Sequence, residues 1–227
     1  MEPTENPGRE RILARIRAAL REPAPMHAAS GPPRSVFAPV TDALARFEKE
    51  CAGNHTELVV TPDMNAAGAA VASVLSSLPA GEIFVQDAPA LRRMASAWPK
   101  SSVLHWSHAA LAGGEGPAET SQATITLAET LVAQTGSVFV SSACGGRGAS
   151  VVAPVHIVVA AIEQLVPDLD AAFARLNERG TPAKNSFLCL ITGSSRTSDI
   201  EKIMVLGAHG PRRLVVVLSH RWEGTIS

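Results

Sequence analysis

Residues 186–219 read SFLCLITGSSRTSDIEKIMVLGAHGPRRLVVVLS, and this stretch decides the fold class. It contains two continuous aliphatic runs, FLCLI (187–191) and LVVVL (214–218), which are typical of strands buried on both faces of a parallel sheet. The segment between them, 198–206, begins with the S-x-x-E pattern of a capping box and is predicted to be a helix. Strand, helix and strand in succession predict a βαβ unit.

The same alternation extends outward through the chain. Further strands are predicted at 57–60, 82–85, 102–106, 123–130, 137–142 and 155–161. Helices are predicted at 40–50, 63–77, 88–96, 161–166 and 168–179. This order favours the α/β class, with an open, mostly parallel sheet flanked by helices.

The 227 residues suit one α/β domain, expected at 40–227, with an N-terminal appendage at 1–39. Within the appendage, RERILARIRAALR (9–21) predicts a basic amphipathic helix, and the proline-rich segment 22–39 predicts a linker or wrapping arm. The helix is expected to pack on its own domain or on a second copy in a homo-oligomer. A membrane-surface role is less favoured, because the apolar face is small.

Composition excludes several classes of function. The 20 basic and 21 acidic residues leave a net charge of −1, so no strong field attracts nucleic acid. No apolar run approaches the length of a membrane span, and the charged N-terminus lacks a signal sequence, which predicts a cytoplasmic protein. The three cysteines form no C-x-x-C pattern, so neither a metal site nor an iron–sulfur cluster is predicted in this chain.

The first polar segment that could carry chemistry is ETLVAQTGS (129–137). Ligands bind at the carboxyl ends of strands in open α/β sheets. Glu129 is therefore a candidate catalytic carboxylate, and Thr135 and Gly136 are candidate ligand-binding residues. The structural alternative, an ordinary hairpin turn with an exposed glutamate, is favoured by this segment alone.

A glycine-rich loop, CGGRG (144–148), lets the backbone approach a ligand and offers Arg147 to an anion. The loop lacks the G-K-[ST] ending of a P-loop, and a flexible turn explains it equally well. Cys144 is interpreted as a structural thiol. His156, alone on an apolar strand, is interpreted as a core histidine that retains a weak claim to function.

Ligand-binding candidates also occupy two loops that flank the predicted helix 198–206. The first loop supplies hydroxyls, backbone N–H groups and a guanidinium, from Gly193, Ser194, Ser195, Arg196 and Thr197. Such groups are typical of an anion site, although a well-capped helix explains part of the pattern. The second loop supplies His209 and Arg212, which the turn-forming Gly-Pro pair between them does not explain.

Both loops are predicted to converge on one pocket, formed by Ser195, Arg196, His209 and Arg212. For this pocket to form, the two loops must approach each other although a nine-residue helix between them would be about 13 Å long. If the loops lie on opposite faces of the sheet, the alternative partner for the first loop is the Gly145–Gly148 loop.

The stretch 191–218 resembles the C-terminal signature of the LUD-domain family, in both its T-G-x-S-[RK]-T-x-D-I-E and its G-x-H-G-P-R parts. AETLVAQTGSV (128–138) is similar to the A-E-T-G-T strand turn of that family, with four extra residues. RERILARIRAAL (9–20) resembles the N-terminal helix of its C-type lactate-utilization subunits. The resemblance covers most of residues 9–218 and is strongest after residue 120.

That resemblance implies the fold shared by NagB, RpiA and CoA transferases. It also implies a role in oxidising L-lactate to pyruvate, with iron–sulfur clusters supplied by separate partner subunits. It provides no established catalytic residues for this subunit.

Three functions follow as hypotheses. The favoured one is a non-redox subunit of an iron–sulfur-dependent lactate oxidation system that binds a small anionic ligand. The second is an autonomous enzyme acting on a phosphate-, CoA- or folate-type ligand, with Glu129 as nucleophile or base. The third is a scaffold that docks through helix 9–21.

Overall fold

The computed structural model describes residues 7–21, 38–107, 120–198, 204–206 and 210–223, with side chains described except at 7, 196–198 and 204–206. The chain divides into two compact units, Met1–Ala38 and Pro39–Ser227. In the first unit, α1 spans Pro7–Ala19, and its apolar stripe of Ile12 and Ile16 is exposed.

The second unit contains the other described helices and the described strands. The helices are α2 (Ala43–Gly53), α3 (Met64–Ser76), α4 (Pro89–Met94), α5 (Leu169–Glu178) and α6 (Thr181–Lys184). The strands are β1 (Thr56–Thr61), β2 (Glu82–Gln86), β3 (Val103–Ser107), β4 (Ala123–Leu127), β5 (Thr130–Val132), β6 (Ser137–Ser141), β7 (Val155–Ala161), β8 (Leu165–Val166), β9 (Leu188–Ile191), β10 (Arg196–Ser198), β11 (Met204–Leu206) and β12 (Arg213–Ser219).

The central sheet has six parallel strands in the order β1-β12-β7-β4-β2-β3. This confirms the predicted α/β class and mostly parallel sheet. Every residue of β7 is buried, as is all of β12 after Arg213, which is what their continuous aliphatic sequences predict.

Each face of the central sheet is covered by a different layer. On one face α3 and α4 pack against residues such as Ile125, Ile157 and Val215. On the other face α2 and a second sheet pack against Val158 and Val216. Aspartate side chains cap α2, α3 and α5 by accepting a backbone N–H from the first turn.

The second sheet has the order β8-β5-β6-β9 and corrects one prediction. The run 187–191 was predicted to be a strand buried on both faces of a parallel sheet. Instead β9 lies at the edge of this sheet, antiparallel to β6, with Leu190 exposed. Aliphatic content predicts a strand here, but it does not determine which sheet the strand joins.

The helix predicted at 198–206 is wrong at both ends. Arg196–Ser198 and Met204–Leu206 form the antiparallel strands β10 and β11, with Arg196 opposite Leu206. Ser198 is therefore a strand residue and not a helix cap; residues 199–203 lie outside the described residues. The S-x-x-E pattern predicts a helix only if the residues that follow are also helical. Here Arg196–Ser198 instead forms an antiparallel pair with Met204–Leu206.

The helix predicted at 161–166 is also wrong, since Ile162–Gln164 form a single 3₁₀ turn that leads into β8. In the part of the chain that the structure describes, no helix combines the length and apolar character needed to cross a bilayer.

Candidate functional site

Polar residues and glycines gather at the two ends of the strands of the central sheet. The end where the parallel strands finish is called the carboxyl edge, and the end where they begin is called the amino edge. The carboxyl-edge cluster, defined here as Glu129, Ser141, Ser142, Asn185 and Gly145, lies where β4 ends. The amino-edge cluster, Asn54, Thr135, Ser137, Thr192 and Gly193, lies near the start of β1. The site residues predicted from sequence are therefore divided between two places.

Glu129 stands between the two sheets, because the chain leaves β4 at Leu127 and enters β5 at Thr130. Its carboxylate accepts a hydrogen bond of 2.5 Å from the Ser141 hydroxyl, and its backbone N–H donates to Phe139. The side chain is half-buried, and no described cation forms an ion pair with it. Such a carboxylate can accept a proton or bind a donor group of a ligand.

Asn185 anchors this cluster from the segment after α6. Its side-chain oxygen accepts hydrogen bonds from the Ser142 hydroxyl and the Ala143 N–H, both at 3.1 Å. Gln164 performs a similar task nearby, since its buried amide joins Ala128 to Ala161 across the ends of β4 and β7. These two amides hold the backbone around Glu129.

The glycine-rich loop closes over the same edge. Gly145 has φ of +110°, and a Cβ there would lie 2.6 Å from side-chain atoms of Phe84 and Ser107, so only glycine fits. Burial, together with the nearby Glu129 charge, raises the pKa of the Cys144 thiol to about 12. Cys144 is thus a protonated, structural thiol at neutral pH, in line with its interpretation from sequence.

His156 is fully buried in the centre of the sheet. Its Nε2 lies 2.9 Å from the Thr126 hydroxyl, while Nδ1 has no hydrogen-bond partner. Burial lowers the pKa of this imidazole to about 4, so it is neutral at physiological pH. The structure places His156 in the core and in neither cluster.

At the opposite edge, Asn54 is the centre of the amino-edge cluster. It follows α2, and its amide nitrogen donates to the backbone oxygens of Thr135 at 2.9 Å and Gly136 at 3.4 Å. Gly136 adopts φ of +62°, and Asn54 and Glu50 occupy the space that a side chain there would need. Thr135 and Gly136 thus form the predicted turn, which is packed against the end of α2.

A chain of hydroxyl groups joins this turn to the loop after β9. The Ser137 hydroxyl donates to Thr135 and lies 2.7 Å from the Thr192 hydroxyl. Gly193 has φ of +83°, and a Cβ on it would lie 2.3 Å from the Asn54 carbonyl oxygen. Two T-G-S tripeptides, 135–137 and 192–194, therefore meet on Asn54 although 55 residues separate Ser137 from Thr192.

The loop continues from Gly193 to the segment before β12. The Ser195 N–H donates to the Pro211 oxygen at 2.8 Å, so Ser195 lies beside the residue that precedes Arg212. The antiparallel pairing of β10 and β11 explains this approach, because it brings positions 196 and 206 together where a helix would separate them. His209 and the side chains of Arg196 and Thr197 lie outside what the structure describes.

The Gly145–Gly148 loop is not the partner of the 193–198 loop. It follows the carboxyl end of β6, whereas Gly193 lies beside the start of β6, about 13 Å away at roughly 3.3 Å per residue. The alternative partnership considered from sequence is therefore wrong.

Two neighbouring arginines at the amino edge have different roles. Arg213 forms a bidentate pair with Glu57, at 2.5 and 2.7 Å. Arg212 is exposed and has no ion-pair partner among the described residues. Ser194 and Ser195 are half-buried, and the backbone bond from Ser195 to Pro211 places them near the residue that carries this guanidinium. Hydroxyl groups and a guanidinium are donors that can bind a small anion.

Sequence reasoning missed Asn54, Gln164 and Asn185. For Asn54 the sequence offers only an amide four residues after the predicted helix 40–50. Gln164 and Asn185 lie in connecting segments without a motif. Among the described residues, no three His, Cys, Asp or Glu side chains are arranged to hold a metal ion.

Comparison with known proteins identifies the family. Residues 44–219 match the model of the LUD domain. Lactate utilization protein C of Bacillus subtilis (strain 168) is 27% identical over 188 residues, which is 78% of each chain. The protein of that name from Geobacillus sp. (strain WCH70) is also 27% identical, with the same coverage.

The fold is similar to the crystal structure of a DUF162 family protein from Deinococcus radiodurans. The TM-score is 0.58 at 17% identity, and the match covers 78% of this chain and 96% of that one. The match of the family model to more than half of the chain confirms the resemblance found in the sequence signature, and the chain belongs to the LUD domain family.

Proposed function

We propose that this chain acts in lactate utilization as the non-redox subunit of an iron–sulfur-dependent system that oxidises L-lactate to pyruvate. The relatives named Lactate utilization protein C support the role, since they match over 78% of the chain. The chain contributes a binding site for a small anion, and partner subunits contribute the redox centres.

The anion site is assigned to the loops around the amino-edge cluster. One observation carries this assignment: Thr135–Ser137, Thr192–Ser195 and Pro211–Arg212, all from the family signature, meet at one place. The hydroxyls of Thr135, Ser137 and Thr192 bond to one another, while Ser194 and Ser195 are half-buried and Arg212 is exposed. Serine hydroxyls and a guanidinium without a carboxylate partner suit the carboxylate of a hydroxy acid.

Oxidation of L-lactate to pyruvate releases two electrons and two protons, which need an acceptor. The chain has three cysteines without a C-x-x-C pattern, and Cys51 and Cys144 are buried in different hydrophobic clusters, so they do not form a set of cluster ligands. We therefore place the electron-accepting iron–sulfur clusters on cysteine-rich partner chains.

A pull-down tests the subunit role. The affinity-tagged chain is purified from its native cells grown on L-lactate, and iron is measured in the eluate. Co-elution of iron-containing partner chains supports the proposal. A tagged chain that elutes alone and iron-free from lactate-grown cells contradicts it.

The ligand assignment is tested separately by calorimetry with L-lactate and pyruvate. Arg212→Gln is expected to weaken binding about ten-fold or more, the usual effect of losing a charged hydrogen bond. Lys100→Gln, which removes a cation preceding the edge strand β3, is the matched control and should bind normally. Equal affinity of both variants would refute the assignment.

A second function has its own observation, the Glu129 carboxylate held by Ser141 at the carboxyl edge. It would make the isolated chain an enzyme on a phosphate-, CoA- or folate-type ligand, with Glu129 as nucleophile or base. Turnover of such a compound by the purified chain, lost in Glu129→Gln, would establish this function. Without turnover the carboxylate is structural.

A further inference from the structure

A cavity of about 170 Å³ lies apart from both polar clusters, between the first turn of α3, the end of α4 and Glu223. Met64, Gly68 and Met94 form its apolar floor, and Asn65, Arg93 and Glu223 form its polar rim. Neither the family signature nor the lactate role involves these residues.

One wall of this half-open cavity is held by contacts between segments that are distant in sequence. The Glu223 N–H donates to the Met64 sulfur at 3.1 Å, and the Glu223 oxygen accepts from Arg93 at 2.8 Å. Residue 223 is thereby fixed over α3 and α4. The walls are held by main-chain and side-chain bonds and do not depend on a ligand.

Arg93 and Glu223 are the two charged residues that line the cavity. Arg92, the neighbour of Arg93, is engaged, with Asp87 at 2.6 Å and the Trp106 ring at 4.5 Å. Among the described residues Arg93 forms no ion pair, and only one of its five donors is used, by a backbone oxygen. The remaining donors suit a carboxylate.

We propose that this cavity binds a short-chain monocarboxylate, with the carboxylate on Arg93 and Asn65 and the aliphatic body on Met64 and Met94. The volume fits, since an engineered apolar cavity of about 150 Å³ in another protein holds one benzene molecule. The Glu223 side chain at the rim disfavours a second negative charge on the ligand. This site is independent of the proposed lactate role.

Methionine methyl groups provide a local readout. The chain has five methionines, of which Met64 and Met94 line the cavity, so ¹³C-methyl-methionine NMR separates this site from the rest. Butyrate is titrated into the full-length chain, with succinate as the dicarboxylate comparison. Butyrate is expected to shift the Met64 and Met94 signals, and succinate to bind more weakly.

Two variants make the test decisive. Arg93→Gln is expected to weaken butyrate binding about ten-fold or more. Lys49→Gln on α2, on the opposite face of the sheet, is the matched control. Gly68→Leu fills the cavity without altering Arg93, and its Cβ would meet Met94 at an ordinary 3.5 Å.

The expected result is that binding is weaker in both Arg93→Gln and Gly68→Leu, and that butyrate does not shift the signals of the other three methionines. Unmoved Met64 and Met94 signals, or equal affinity in Arg93→Gln and Lys49→Gln, would overturn the proposal. Butyrate binding that persists in Arg212→Gln separates this site from the one proposed for lactate. If binding is disproved at one of these two sites, the proposal for the other site is unaffected.

Discussion

The amino-edge and carboxyl-edge clusters are built from similar residues but are stabilised differently. At the amino edge, neutral side chains bond to one another and to two backbone oxygens of the 135–136 turn. At the carboxyl edge, the Ser141 hydroxyl bonds to one charged group, Glu129, and two amides hold the neighbouring backbone. The family signature thus includes residues that fix backbone shape at the amino edge, while the carboxyl edge carries the Glu129 carboxylate.

Glycine substitutions should give the largest effect and compare the two edges directly. Gly193→Ala and Gly145→Ala each place a Cβ at positive φ, 2.3 Å from the Asn54 oxygen and 2.6 Å from Phe84 respectively. We expect each to lower the free energy of unfolding by about 3 kcal/mol or more. The loss should be greater at Gly193, because a backbone oxygen cannot move aside as a side chain can.

Gly53→Ala is the control for these variants, since its added Cβ would meet nothing within 4 Å. Urea denaturation of the three variants gives the comparison. Equal stability of Gly193→Ala and Gly53→Ala would show that the 193 loop is not packed on Asn54 as described.

Acid stability tests the core that separates the clusters. The His156 pKa is lowered from 6.5 to about 4 in the folded chain, so the unfolded chain binds a proton more readily. Protonation of His156 in the unfolded chain therefore lowers the free energy of unfolding as pH falls from about 6.5 to about 4. The loss is on the order of 3 kcal/mol and is complete below pH 4.

Urea midpoints measured across that window, for the unmodified chain and for His156→Gln, check this expectation. The variant should show a flatter dependence on pH, whatever its absolute stability. His220→Gln, at an exposed position, should keep the full slope. A slope that survives in His156→Gln would assign the acid sensitivity to other groups.

Replacing the amide at each edge sharpens the comparison. Asn54→Ala leaves the Thr135 and Gly136 oxygens without their donor, and we expect a loss of about 2 kcal/mol in unfolding free energy. Asn185→Ala should lose less, about 1 kcal/mol, because its partner Ala143 is exposed and water can replace the bond. The reverse order in thermal or urea unfolding would mean that the carboxyl edge is the more rigid one.

Much of this fold follows from sequence, because the strands of the central sheet are aliphatic runs of strand length. Two predictions of secondary and sheet structure were wrong for the same reason. The run 187–191 was assigned to the central sheet, and 198–206 to a helix, since local composition does not determine a strand's partner. Ser195 nevertheless reaches Pro211, as the convergence of the two loops requires, but through strand pairing.

The site was partly predictable for a related reason. Glycines and hydroxyls in fixed spacing identify turns, so Thr135, Gly136 and Gly193 could be selected without a structure. Gln164 and Asn185 could not, because a lone amide in a connecting segment gains its partners only when distant strands meet. The role of a lone amide in a loop is therefore seen in the structure but is not predicted from the sequence.

The smallest expected effect concerns the hydrogen bond that holds Glu129. Ser141→Ala removes the hydroxyl that donates to the carboxylate, and we expect a loss of about 1 kcal/mol in unfolding free energy. Because Ser141 also accepts from the Ala143 N–H, the single variant does not isolate the pair. A double-mutant cycle with Glu129→Ala does, and it should give a coupling of about 0.5–1 kcal/mol. Zero coupling would mean that Ser141 does not hold Glu129, which would then be free to turn toward a ligand at the carboxyl edge.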